Sequence, residues 1–326
     1  MDSASVRLRS IVKSDAVQRV LALAALVVLI IFFTIASPHF MQQSNLIGIG
    51  LATAVTGILA IGVTFVIITG GIDLSIGTVM TLSAVMTGVV VTNADLPLVI
   101  GIAVGIATGA LMGLVNGLLI ARLSIPPFIA TLGTLNVARG LALILAELKP
   151  IYFNETPEFN EGAMGSIIPG VDLPNVILVF VGCAIVASFV LGRTILGRYI
   201  YAIGSNEEAA RLSGVRTVRW KASAYVISGL FAGIAGVVIA ARLNSAQPAV
   251  GFGYELDAIA AAVIGGTSLS GGEGTIFGTF IGAFVISVLT NGLRLLSVPQ
   301  EWQIVVTGCI VVLAVYLDIV RRRRQG

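Results

Sequence analysis

The sequence predicts an all-α polytopic membrane protein of about ten transmembrane helices, with glycine-broken helices in two loosely related halves. Three observations predict it. The 326 residues are 57% apolar and 11% charged, with a mean hydropathy of +1.03; soluble domains carry roughly 25% charged residues, so a water-soluble core is excluded. Apolar stretches long enough to cross ~30 Å of hydrocarbon recur from Val20 to Leu317. The octapeptide Gly70–Gly77 (GGIDLSIG) returns as Gly265–Gly272 (GGTSLSGG), and paired glycine breaks in the two halves of a membrane protein point to a substrate pathway.

Taken in order, ten crossings cover residues 20–36, 46–69, 78–92, 96–120, 127–146, 175–192, 222–241, 256–270, 274–296 and 302–319. The first is read as an uncleaved helix rather than a signal peptide, because its 17-residue apolar stretch leads into further spans. Segments 78–92 and 256–270 are short for a full crossing, and each adjoins one copy of the repeated element. A helix that stops part-way leaves backbone groups that lipid cannot satisfy, so both breaks are expected to face the interior or a wet cavity. Asn116-Gly117-Leu118 is echoed by Asn291-Gly292-Leu293, at a different offset from the octapeptide pair. The halves are therefore related loosely, with one extra passage in the first. The whole chain, 1–326, is one transmembrane domain. The 38 glycines suit close helix contact, since small residues let backbones approach where no hydrophobic force drives helices together.

Charge sets the orientation. Basic residues gather at the N-terminus (Arg7, Arg9, Lys13, Arg19), at the tail (Arg321–Arg324) and in segment 193–221 (Arg193, Arg198, Arg211, Arg216, Arg219, Lys221). Segment 147–174 instead carries five acids and one lysine. Lys and Arg resist translocation, so both termini and 193–221 are expected in the cytoplasm and 147–174 outside. The basic tail is read as orienting the chain in lipid rather than as binding nucleic acid. Cys183 and Cys309 lie in apolar runs and read as packing residues. The single histidine, His39, sits in a Ser-Pro-His-Phe turn, and no His/Cys cluster has metal-ligand spacing.

The candidate residues follow from these breaks and loops. Asp73 and Asp257 are the principal acids near bilayer depth, where a carboxylate costs about 3 kcal/mol on insertion scales. Asp73 is placed to cap the amides that open the next helix; Glu255 and Asp257 suit a helix start, where acids offset the dipole. Gly70, Gly71, Asp73, Ser75, Asn116, Gly265, Gly266, Ser268 and Ser270 are the candidate translocation-pathway residues. In 193–221, Ser205 followed by Glu208 has the spacing of a capping box. Glu207 and Glu208 suit a first helical turn and Gly214 its exit. The small apolar face of Ala209, Ala210 and Leu212, flanked by Arg211, reads as a helix that docks into a groove of a cytoplasmic partner.

Glu208-Ala209-Ala210-x-x-x-Gly214 resembles the coupling loop of ATP-binding-cassette importer permeases, although the Ile-x-Leu-Pro extension found in some of them is absent. GGIDLSIG (70–77), GRYIYAIGSNEEAARLSGV (197–215) and SAQPAVGFGYELDAIAAAVIGGTSLSGGEGTIFGTFIGA (245–283) closely resemble the ribose-type sugar permeases, in order and from about residue 20 to 319. The resemblance implies a bacterial inner-membrane permease subunit, working with a second copy of itself, a cytoplasmic ATP-binding subunit and a periplasmic sugar-binding protein, and passing a monosaccharide such as ribose. ATP and Mg then belong to the partner. In agreement, none of the three lysines (Lys13, Lys149, Lys221) sits in a P-loop, so the chain has no phosphate cradle of that kind. Two other classes stay open to test: a gradient-driven carrier in which Asp73 binds a proton or sodium ion, and an intramembrane aspartyl protease, whose Gly-x-Gly-Asp order Gly70-Gly71-Ile72-Asp73 does not match.

Overall fold

In a computed structural model, the described residues are 15–170 and 172–323. The basic residues Arg7, Arg9, Lys13 and Arg324, on which part of the orientation argument rests, lie outside them. Apart from one two-stranded pairing, the described chain is helical. The helices are α1 (Asp15–Ala36), α2 (Gln43–Ile68), α3 (Ile76–Gly88), α4 (Leu98–Ala121), α5 (Pro127–Leu145), α6 (Pro157–Met164), α7 (Asn175–Arg193), α8 (Ile195–Ser205), α9 (Glu207–Leu212), α10 (Thr217–Leu243), α11 (Tyr254–Ile264), α12 (Ile276–Leu295) and α13 (Gln300–Arg323). Among the described residues seven helices are long and apolar enough to cross a membrane: α2, α3 with its π-helical extension to Asn93, α4, α5, α7, α10 and α12. The all-α polytopic class therefore stands.

The two short segments part company. The first gains a π-helical turn, Val89–Asn93, and reaches 18 residues in all. The second, α11, has 11 residues and at 1.5 Å per residue spans only about 17 Å, too little to cross. Both breaks exist as non-helical chain, between Ile68 and Ile76 and between Ile264 and Ile276. The two breaks differ in depth: α2 has 26 residues and is about 39 Å long, a full crossing before the chain breaks, whereas α11 stops part-way.

The core is built on α2, buried continuously from Thr53 to Ile68 and packed by α10, α12, α11 and α7. Helices α4 and α10 cross most closely. Glycine recurs every fourth residue from Gly101 to Gly117 along one face of α4, and a methyl group on Gly113 would stand 3.1 Å from the Gly229 Cα of α10. Backbones this close exchange dispersion contacts that larger side chains would prevent.

Segment 147–174, expected as a loop, is more structured. It holds β1 (Ile151–Tyr152), paired antiparallel with β2 (Ser245–Ala246), and the helix α6. Asn160 of α6 donates its Nδ2 to the Ala241 carbonyl at 2.8 Å, a second bond to an acceptor in the last turn of α10 that the Asn244 amide reaches at 3.3 Å.

Candidate functional site

The segment expected to dock a cytoplasmic partner is a helix pair, α8 and α9, with one residue between them. Helix α8 runs through Ser205, so Ser205 is the last residue of one helix rather than the cap of the next. Asn206 breaks the helix with φ −161° and ψ 101°, and its Oδ1 accepts the Ala209 amide at 2.9 Å. The capping-box expectation is corrected on this point: Asn206 is the N-cap, and Glu208, freed from that role, pairs with Arg211 at 2.6 Å. That hydrogen bond holds the Arg211 guanidinium above its ordinary pKa. Glu207 pairs with Lys221 at 2.7 Å.

The exit follows the glycine expectation. Gly214 has φ +85°; its amide donates to the Arg211 carbonyl at 3.0 Å and that of Val215 to Ala210 at 3.1 Å, the double bond of a Schellman stop. The apolar face divides: Ala210 packs inward at 7% exposure, whereas Leu212 points out at 79%. Glu207, Glu208 and Arg211 surround it on the surface.

Against the end of α8, at Gly204 and Ser205, the two octapeptide copies meet. The Gly272 amide donates to the Ile68 carbonyl at 2.9 Å. Gly70 lies beside Ser270, its Cβ position 3.8 Å from the Ser270 carbonyl. Gly204, two residues before the Asn206 cap, packs its Cα face onto both: a Cβ there would collide with the Ile68 carbonyl and stand 2.5 Å from the Gly272 amide. Tyr201 of α8 donates its hydroxyl to the Gly274 carbonyl at 2.6 Å. A cleft of about 550 Å³ opens alongside, lined by Ser188, Tyr201, Glu273 and Thr275 among others.

Asp73 stands in the first break at 1% exposure. Its Oδ1 accepts the Ser75 amide at 3.0 Å and the Ser75 hydroxyl at 2.7 Å. Its Oδ2 accepts the Ser228 hydroxyl of α10 at 2.8 Å. From Ser75 the network continues: Asn116 Nδ2 donates to Ser75 Oγ at 2.9 Å, and Thr134 Oγ1 to Asn116 Oδ1 at 2.7 Å. The carboxylate takes the amide and hydroxyl of Ser75, the residue before α3, rather than the first amides of the helix itself, and α3, α4, α5 and α10 are tied to one point. The void beside it, lined by Asp73, Ser75, Asn116 and Gly229, has no room for a water molecule.

The remaining pathway candidates scatter around these two features. Gly71, Gly265 and Ser268 are buried, Gly266 is partly buried, and Gly70 and Ser270 are exposed at the junction. Glu255 opens α11 at 6% exposure, accepting the Gly253 amide, and Asp257 stands in the same first turn. Sequence reasoning did not find Asn206, Ser228, Thr134 or Gly204. Asn206 carried a signal, since asparagine caps as well as serine; the others are joined to their partners only by the fold.

A family model described as "Branched-chain amino acid transport system / permease component" matches residues 45–315. The ribose import permease protein RbsC of Bacillus subtilis (strain 168) is 45% identical over 295 residues, 90% of each chain. RbsC of Escherichia coli (strain K12) is 40% identical over 297 residues, 91% of this chain and 92% of its own. The L-arabinose transport system permease protein AraH of the same organism is 40% identical over 303 residues, 93% of this chain and 91% of its own. No solved structure matches. The chain belongs to the transport-system permease-component family, and within it its similarity runs to the ribose-type sugar permeases.

Proposed function

We propose that the chain is the transmembrane permease subunit of a bacterial ATP-binding-cassette importer, translocating a monosaccharide, ribose or a related sugar, that a periplasmic binding protein delivers. The observation that carries this reading is the capped helix α9, which presents Leu212 outward and is joined by Asn206 to the place where both octapeptide breaks meet. A surface connector has no use for a rigid seat against two broken helices. A lever driven by another subunit does.

In this reading the ATP-binding subunit, with its ATP and Mg, grips Ser205, Glu207, Glu208, Ala209, Ala210, Arg211 and Gly214 from the cytoplasm. Its closure displaces α9 and with it the junction of Gly70, Gly71, Gly265, Gly266, Ser268 and Ser270, the cytoplasmic end of the path. Asp73, Ser75 and Asn116 hold α3, α4, α5 and α10 together as that junction moves. The chain itself hydrolyses nothing. It sits in the inner membrane as one of two copies; α11 with the non-helical chain up to Ile276 makes one broken passage, α1 and α13 complete an even number of crossings, and both termini are cytoplasmic. The binding protein docks outside on 147–174 and the chain around β2. Names of relatives with ribose, arabinose and allose in them support a sugar over the amino acids of the family description. Asp73 offers no support to ion coupling, because its oxygens already accept three hydrogen bonds and no water fits beside it.

A pull-down of the tagged chain in mild detergent, with mass spectrometry of its companions, tests the assembly. An ATP-binding subunit is expected to co-purify and to be lost when Glu208→Lys and Gly214→Val are combined. Recovery of the chain alone from membranes competent in sugar uptake contradicts the proposal.

A further inference from the structure

Helix α5 carries on its outward face groups that lipid does not accept. Asn136 stands at the midpoint of the span Pro127–Leu145 and is exposed, its Nδ2 donating back to the Leu132 carbonyl at 3.0 Å. Arg139, one turn nearer the outer end, is also exposed; its guanidinium lies 5.2 Å from the centroid of the Phe252 ring, itself 68% exposed. Gly133 and Gly140 flank Asn136 on the same face, and nothing lies within 4 Å of where their Cβ atoms would stand. The neighbouring span α4 is the contrast: every exposed residue on it, from Val99 to Leu118, is aliphatic. Polar and charged groups inside a span face a bundle interior or water rather than hydrocarbon. Rotation cannot bring Asn136 inward, because the opposite face is pinned by the Thr134–Asn116–Ser75 hydrogen bonds.

We propose that the outward face of α5, with Gly133, Asn136, Arg139 and Gly140, and with Phe252 at its outer end, lines the water-filled path along which a neutral polyhydroxylated substrate passes. The proposal rests on the sugar-importer reading for the identity of the cargo. The Asn136 amide offers a donor and an acceptor to ring hydroxyls. The two glycines leave width for the ring. Phe252 presents an apolar face to its C–H side, and Arg139, seated over Phe252, adds donors beside it. So few contacts suit release rather than storage. The second copy of the chain supplies the opposite wall.

The test uses the assembled importer in its membranes, first with Cys183→Ala and Cys309→Ser to remove the native thiols. Single variants Asn136→Cys, Gly140→Cys and, on the α4 face, Leu114→Cys are then treated with a charged, membrane-impermeant thiol reagent. Thiolates form only in contact with water, so the two α5 thiols are expected to react about tenfold or more faster than the Leu114→Cys thiol. Transported sugar with binding protein should slow them. Rates equal to that of Leu114→Cys mean lipid and overturn the proposal. So does an Asn136→Cys disulfide between copies without labelling, which marks a packed seam. Fast labelling that no transported sugar slows, in membranes that take up sugar, also overturns it. Absence of ATP-driven sugar uptake by the unaltered importer faults the functional reading instead, and the labelling rates still decide whether the face is wet. As a second readout, Asn136→Leu is expected to cut uptake roughly fivefold with assembly unchanged, the worth of one hydrogen bond, and Asn136→Gln to restore part of it.

Discussion

Gly272 donates its amide proton to the carbonyl oxygen of Ile68 across 2.9 Å, joining the end of the second octapeptide to the last residue of α2. The bond satisfies one of the carbonyls a helix leaves open at its C-terminus. Gly204 packs against the same pair, so three segments far apart in sequence meet there main chain against main chain, with the Tyr201 hydroxyl bonded to the Gly274 carbonyl beside them. In the proposed importer, motion of α9, joined to Gly204 through Ser205 and Asn206, would pass to both breaks.

Gly204→Ala tests the tightness of that contact. The added methyl group meets the Ile68 carbonyl and the Gly272 amide, and overpacking of this kind costs about 1–3 kcal/mol. The purified permease–ATPase complex should melt at a lower temperature and sugar uptake should fall sharply, with the chain still in the membrane. An unchanged melting point and unchanged uptake would show that the junction is loose.

The cap assignment separates two adjacent residues. Asn206→Ala removes the acceptor of the Ala209 amide and should cost about 1 kcal/mol of local helix stability. Ser205→Ala should leave α9 unaffected. Hydrogen exchange at the first amides of α9 checks the order, and faster exchange from Ser205→Ala than from Asn206→Ala would restore the capping-box reading.

At Gly214 backbone conformation can be separated from space. Its φ is +85° and a Cβ there would meet nothing within 4 Å, so only the left-handed conformation penalises a side chain, by roughly 1–2 kcal/mol. Gly214→Asn, which tolerates that region, should keep most of the uptake, while Gly214→Val should lose it. Equal loss in both variants would point to steric contact with the partner instead.

For Asp73 the expected outcome turns on satisfied partners rather than on a carried ion. Asp73→Ala strands the Ser75 amide and the Ser228 hydroxyl at about 1–3 kcal/mol for each buried group left unmade; thermal unfolding should register the loss. Asp73→Asn keeps size and an acceptor, and ATP-driven uptake should persist without any new dependence on sodium or pH. Selective loss of ion-driven uptake in Asp73→Asn would favour the carrier.

What could be read from sequence and what could not divide along physical lines. The breaks at Gly70–Gly77 and Gly265–Gly272 and the exit at Gly214 were legible because each is a local backbone requirement carried by residues adjacent in sequence. The partner of each break was not legible, since the Gly272–Ile68 contact depends on how α2, α8 and α12 pack. Ser205 and Asn206 are equally good caps; what decides between them is the point at which α8 stops, after Ser205, and no local pattern marks that point. The strand pair β1–β2 escaped notice because two residues per strand leave no periodic pattern. Asn136 and Arg139 were passed over for a related reason: a polar residue in an apolar run has no meaning until its helix face is known.

The most direct test of the central claim is sugar uptake into proteoliposomes that hold the chain with its co-purified ATP-binding subunit, with ribose and binding protein outside and ATP inside. The account predicts uptake that requires both ATP and binding protein, is indifferent to ionophores, and disappears in Gly214→Val. Uptake by the chain alone, driven by a proton or sodium gradient and abolished by ionophores, would contradict it.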